Sequence, residues 1–137
     1  MTAAHASTAA PGAGAITRYR FVLMTSIVLN VAVGFYIMFA PGSFTNLLHQ
    51  PDAFPATWPR HWGFQLLAIN GLYLPGFWDP VRNRWPNWCG IVIRFTFALF
   101  FLSQGGGFVP MALYDGTSGL ALLATYLPAL KSAPRQV

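Results

Sequence analysis

Charge is what this chain has least of. Eight Lys and Arg and three Asp and Glu supply all of its permanently charged side chains in 137 residues, while 55% of the residues are hydrophobic. The single cysteine, Cys89, excludes an internal disulfide; near a helix start it reads as a small packing residue rather than a nucleophile. Cys/His metal spacing, a glycine-rich phosphate loop and an internal repeat are all missing, and no segment carries a motif that names a reaction. The formal charge of +5 comes from basic residues dispersed over short segments, without the dense patch that a nucleic-acid-binding face requires.

What the chain does have is apolar length. Four stretches, roughly Phe21 to Ala40, His61 to Trp78, Trp88 to Ser103 and Phe108 to Leu130, fill most of it. A helix of about 20 apolar residues crosses the roughly 30 Å of bilayer hydrocarbon. The first and fourth stretches reach that length unaided, and the second and third are flanked by Trp suited to the headgroup region. The expectation is an all-α, four-transmembrane-helix bundle over residues 17–131, with an N-terminal tail over 1–16, rich in Ala, Gly, Ser and Thr and free of Asp, Glu, Lys and Arg, that is disordered and a short C-terminal tail over 132–137. Arg18-Tyr19-Arg20 ahead of a long apolar run also resembles a signal-peptide start, but Met38 and Ala40 before Pro41 make a poor cleavage site, so the run reads as an uncleaved anchor.

The basic residues fall on alternate connections. Arg18 and Arg20 precede the first span, Arg82 and Arg84 lie between the second and third, and Lys131 and Arg135 follow the fourth. The positive-inside rule then makes both termini and the Arg82/Arg84 loop cytoplasmic, in a multi-pass cell-membrane protein, the bacterial inner membrane being the expected one. The 41–60 connection and the Gly105-Gly106-Gly107 turn face outward. Trp58, Trp62, Trp78, Trp85 and Trp88 all fall at span ends, where an indole's apolar body and single N–H suit the interface. The outer connection holds Pro41, Pro51, Pro55 and Pro59 and reads as an ordered loop, suited to a lid, with room for one helical turn near 44–49. Asp79-Pro80 ends the second span, because a residue before proline avoids helical geometry.

Small residues suggest how the spans meet. Ala112, Gly116 and Gly119 make a stripe on the fourth, and Ala68 and Gly71 a shorter one on the second. Ionisable groups at membrane depth are costly and turn toward the bundle interior, so the polar residues within spans are the candidates for function. On the outer half these are Asp115, His61, Arg60 and Gln65, which Tyr36 and Tyr114 can join. Asp115 is expected to pair with Arg60 or protonated His61, as a register-fixing ion pair, a proton-transfer pair or a ligand site. On the inner half, Arg94 is expected to snorkel to the cytoplasmic interface, pair with Asp79 or bond Asn70. Asn30 and Asn70, both near mid-span, are expected to bridge helices.

The order Arg60-His61-Trp62-Gly63 at a helix start, Gly71-Leu72-Tyr73, Trp78-Asp79-Pro80-x-Arg82-x-Arg84, Arg94 in the third span and Asp115-Gly116 in the fourth resembles small bacterial four-span membrane proteins of DoxX-like, largely uncharacterised type, over about residues 17 to 130. The resemblance implies a four-helix integral membrane protein, and DoxX-like relatives are connected to quinone-linked redox complexes; this chain departs in showing no cofactor-ligand pair. Two functional readings follow. One is a non-catalytic accessory or assembly subunit, associating with itself or a larger membrane complex through helix contacts. The other is a binding protein, carrier or enzyme for an apolar molecule such as a quinone or lipid, its head group meeting the outer polar cluster. No cofactor is evident, and the bilayer itself is the first partner.

Overall fold

A computed structural model describes residues 13–132 of the protein. It is all-α: α1 spans Ala13–Phe39, α2 Pro41–Leu47, α3 Thr57–Trp78, α4 Arg84–Gln104 and α5 Val109–Lys131, with one 3₁₀ turn at Gly106–Phe108 and no strand among the described residues. Helix α1 begins ahead of the expected boundary at residue 17; residues 1–12 and 133–137, the rest of the two expected tails, lie outside the described residues.

Proline and glycine set the helix ends. Ala40, at φ −134° and ψ 56°, stands before Pro41 outside the α region, and Pro41 then opens α2, where its missing N–H costs nothing. The expected helical turn in this connection is therefore present, shifted toward the proline. Helix α3 stops at Asp79, whose carboxylate accepts from the Arg82 N–H at 3.0 Å and tightens the turn into α4. Gly105 and Gly106 adopt φ of 64° and 52°, a left-handed conformation that ends α4 without a Cβ clash and turns the chain back into α5.

The four long helices form a ring in chain order: α1 packs on α3 and α5, and α4 on α5 and, more thinly, on α3. Helices α1 and α4 are each long and apolar enough to cross a membrane. The expectation gave that length to the first and fourth spans. Helix α5 has the length, at 23 residues, but the run Tyr114-Asp115-Gly116-Thr117-Ser118-Gly119 holds its hydropathy down. Around the ring, large apolar side chains point outward, among them Phe21 at 73% exposure, Phe39 at 76%, Leu72 at 69% and Leu99 at 69%, while Ser26, Asn30, Asn70, Asn87 and Arg94 are buried.

The close approaches are partly those the sequence suggests. Ala112 and Gly119 on α5 are buried, and a Cβ on Gly119 would stand 3.4 Å from the Arg94 Cβ on α4, so this stripe is an internal helix contact. Ala68 and Gly71 instead lie on the outer face of α3, where a Cβ on Gly71 would meet nothing within 4 Å. The α1–α3 crossing is made by Gly34 and Gly63: a Cβ on Gly63 would stand 2.6 Å from the Gly34 carbonyl oxygen. The rotation of α3 follows from Asn70, which turns inward to meet Asn30 and carries Ala68 and Gly71 outward.

The two ends are filled differently. At the end bearing the 79–83 turn, Tyr19, Leu23, Ile27, Tyr73, Ile91 and Leu122 close around Tyr126, whose ring lies 4.7 Å from Tyr19 and 5.6 Å from Trp88. The Tyr126 hydroxyl donates to the Pro80 carbonyl at 3.0 Å, and Arg20 donates to the Phe77 and Trp78 carbonyls at the α3 C-terminus, where a cation complements the helix dipole. At the other end, Phe44 from α2, Trp62, Phe101 and Phe108 form a chain of ring contacts between 5.9 and 6.1 Å. Buried Gln50 ties this end to the glycine turn by donating to the Gly107 carbonyl at 3.2 Å. Trp62 and Trp88 thus pack inside the bundle ends, contrary to the expectation that all five Trp are interfacial; Trp58, Trp78 and Trp85 are exposed.

Candidate functional site

Midway along α4, Arg94 is 3% exposed and turned into the ring. Its Nη1 donates to Asp115 Oδ1 on α5 at 2.8 Å, its Nη2 donates to Ser26 Oγ on α1 at 2.6 Å, and its guanidinium carbon lies 5.5 Å from the centre of the Tyr114 ring. The side chain thereby joins α4 to α5 and to the diagonally opposite α1. Its Nε has no partner among the described residues.

This overturns the expected role of Arg94. Helix α4 starts at Arg84, so Arg94 stands about 15 Å along the axis from that end, beyond the reach of a snorkelling side chain. Asp79 is occupied in its own turn, and Asn70 bonds Asn30 and the Leu66 carbonyl instead. The expected partner of Asp115 changes with it: the carboxylate is held by Arg94, not by Arg60 or His61. Those two lie on the exposed face of α3, because Trp62 and Gly63 next to them occupy its inward face. His61 and Gln65 do share a face, their Nε2 atoms 3.0 Å apart, but it is the outer one. Tyr36 bonds Ser43 Oγ at 2.8 Å and packs edge-on to Phe44, joining α1 to α2 rather than to the polar centre.

Beside the ion pair runs a second polar chain. The Tyr114 hydroxyl donates to Asn30 Oδ1 at 2.8 Å, and Asn30 Nδ2 donates to Asn70 Oδ1 at 3.3 Å, so the two asparagines bridge helices as expected. Of the outer cluster read from the sequence, Asp115 and Tyr114 belong to this centre and the others do not. Sequence reasoning missed Ser26. The signal was present: Ser26, Asn30 and Gly34 recur at i, i+4 and i+8, which marks one face of α1.

Between this polar floor and α2 lies a cavity of about 180 Å³, walled by Phe44, Trp62 and Met111 and floored by Asn30, Tyr114 and Asp115. A smaller void of about 30 Å³ continues it along the thin α3–α4 side toward Arg94 and Tyr73, with Asn30 and Asp115 lining both. Among the described residues no three His, Cys, Asp or Glu side chains come together to hold a metal. The arrangement suits recognition of a neutral molecule: aromatic walls for its body, hydrogen-bonding groups for one end, and an ion pair whose charges offset one another.

Compared with family models, curated proteins and solved structures, the chain matches none of them.

Proposed function

We propose that this chain is a four-span integral membrane protein whose cavity binds a small apolar molecule with a polar end, such as a quinone or a lipid. The cavity walled by Phe44, Trp62 and Met111 over Asn30, Tyr114 and Asp115 carries this reading. The membrane setting is supported by the exposed apolar sides of all four long helices, by the polar side chains kept inside, and by the DoxX-like order of motifs. Native mass spectrometry of the gently extracted protein tests it. A co-purified molecule that is lost when Leu66 in the cavity wall is replaced by Trp is the expected result; a wild-type protein that carries none and takes up none refutes it.

A second reading, the accessory or assembly subunit, is favoured by the open outer face of α3, where Ala68 and Gly71 leave room for another helix backbone. Recovery of stoichiometric subunits in the same spectra, with the cavity empty, is its signature.

Orientation follows from charge. Arg18 and Arg20 at the start of α1, Arg82 and Arg84 around the 79–83 turn and Lys131 at the end of α5 share one end of the ring, which the positive-inside rule makes cytoplasmic. In a Cys89→Ala background, Ser43→Cys is expected to react with an impermeant maleimide on intact cells and Asn83→Cys only after lysis. The opposite pattern refutes the orientation.

A further inference from the structure

Resting on the binding reading above, we infer that the end of the ligand buried against Asp115 is a hydroxyl, carried on a single aromatic ring. Three observations lead there. Asp115 spends Oδ1 on Arg94, and Oδ2 accepts no hydrogen bond among the described residues although the side chain lines the cavity. A carboxylate oxygen only accepts, and a bond to a charged acceptor is roughly twice as strong as a neutral one, so the largest polar gain in this cavity goes to a ligand that brings a donor. The Tyr114 hydroxyl gives its proton to Asn30 and has Arg94 and Ser118 beside it, so Asp115 Oδ2 is the acceptor left for a ligand. A ligand that only accepts, such as an ether, a ketone or the oxidised form of a quinone, finds no charged donor on the cavity lining, because Arg94, whose Nε is unpartnered among the described residues, lines only the void of about 30 Å³ beyond it.

Charge and size narrow the class further. Arg94 at 2.8 Å already balances the Asp115 carboxylate, so a cationic ligand would bring an unmatched charge into a buried site. The donor is therefore a neutral one. A cavity of about 180 Å³ is slightly larger than the roughly 150 Å³ that accommodates benzene in an engineered protein core. Its walls, Phe44 and Trp62 with the Met111 thioether, favour a flat ring through offset ring contacts and sulfur contacts at the ring edge.

The test uses the full chain in detergent with methionine methyl groups labelled with ¹³C. Met111 lines the cavity, while Met24 and Met38 on α1 lie outside its lining and are the controls for non-specific uptake. Phenol and anisole are the probes, equal in ring and differing in whether the oxygen carries a proton. The Met111 resonance is expected to shift saturably, with a half-saturation concentration at least ~10-fold lower for phenol, although anisole partitions more readily into oil. Met24 and Met38 should move only in proportion to added probe. Saturation at Met111 with anisole at the same or lower concentration overturns the hydroxyl and leaves the binding reading standing. Absence of a saturable Met111 shift with either probe overturns both.

Discussion

Arg94→Met is expected to destabilise the folded protein by about 3–5 kcal/mol, because it leaves the Asp115 carboxylate in the bundle without its cation. Asp115→Leu should cost a similar amount by stranding the guanidinium, which would keep only Ser26 and the Tyr114 ring. The double variant Arg94→Met/Asp115→Leu replaces the pair with apolar groups of similar length and is expected to regain most of the loss, since apolar replacement of a buried pair is often neutral. Equilibrium unfolding in mixed micelles reads all three. Losses of only about 0–1 kcal/mol in both single variants, the range of exposed pairs, would contradict the burial described here.

Gly63→Leu is expected to cost about 3 kcal/mol, because even its Cβ would stand 2.6 Å from the Gly34 carbonyl oxygen and neither backbone can yield without separating α1 from α3. Gly71→Leu, two turns further along the same helix, is the control. Nothing lies within 4 Å of a Cβ there, so the same substitution should not destabilise the fold, and the helix propensity it gains is worth up to about 1 kcal/mol. If the two variants unfold together, the rotation assigned to α3 is wrong.

That pair of glycines also marks how far the sequence could be read. Helix existence was legible, since apolar runs punctuated by Pro41, Pro80 and Gly105 leave few other options. The facing of each helix was legible only where polar residues within spans were treated as pointers inward. Asn30 and Asn70 found each other as expected, and following them around α3 would have put Gly63 on the contact face and Ala68 with Gly71 outside. Small residues alone do not carry that information, because a lipid-facing glycine and a packed one look the same in sequence. Asp115 was recognisable as an interior carboxylate. Its partner was not, because the start of α4 at Arg84 rather than Trp88 moves Arg94 to mid-helix, far from either helix end and level with Asp115.

The two ends of the bundle are unequal, and this has a consequence for traffic. Tyr19, Tyr73 and Tyr126, with the Tyr126 hydroxyl locked to the Pro80 carbonyl, fill the half of the ring beneath the ion pair, whereas the half with the cavity is closed by α2, the Gln50 tether and the Phe101 and Phe108 rings. Under the binding reading proposed above, a guest enters and leaves past α2 or through the thinly packed α3–α4 seam, not past the tyrosines.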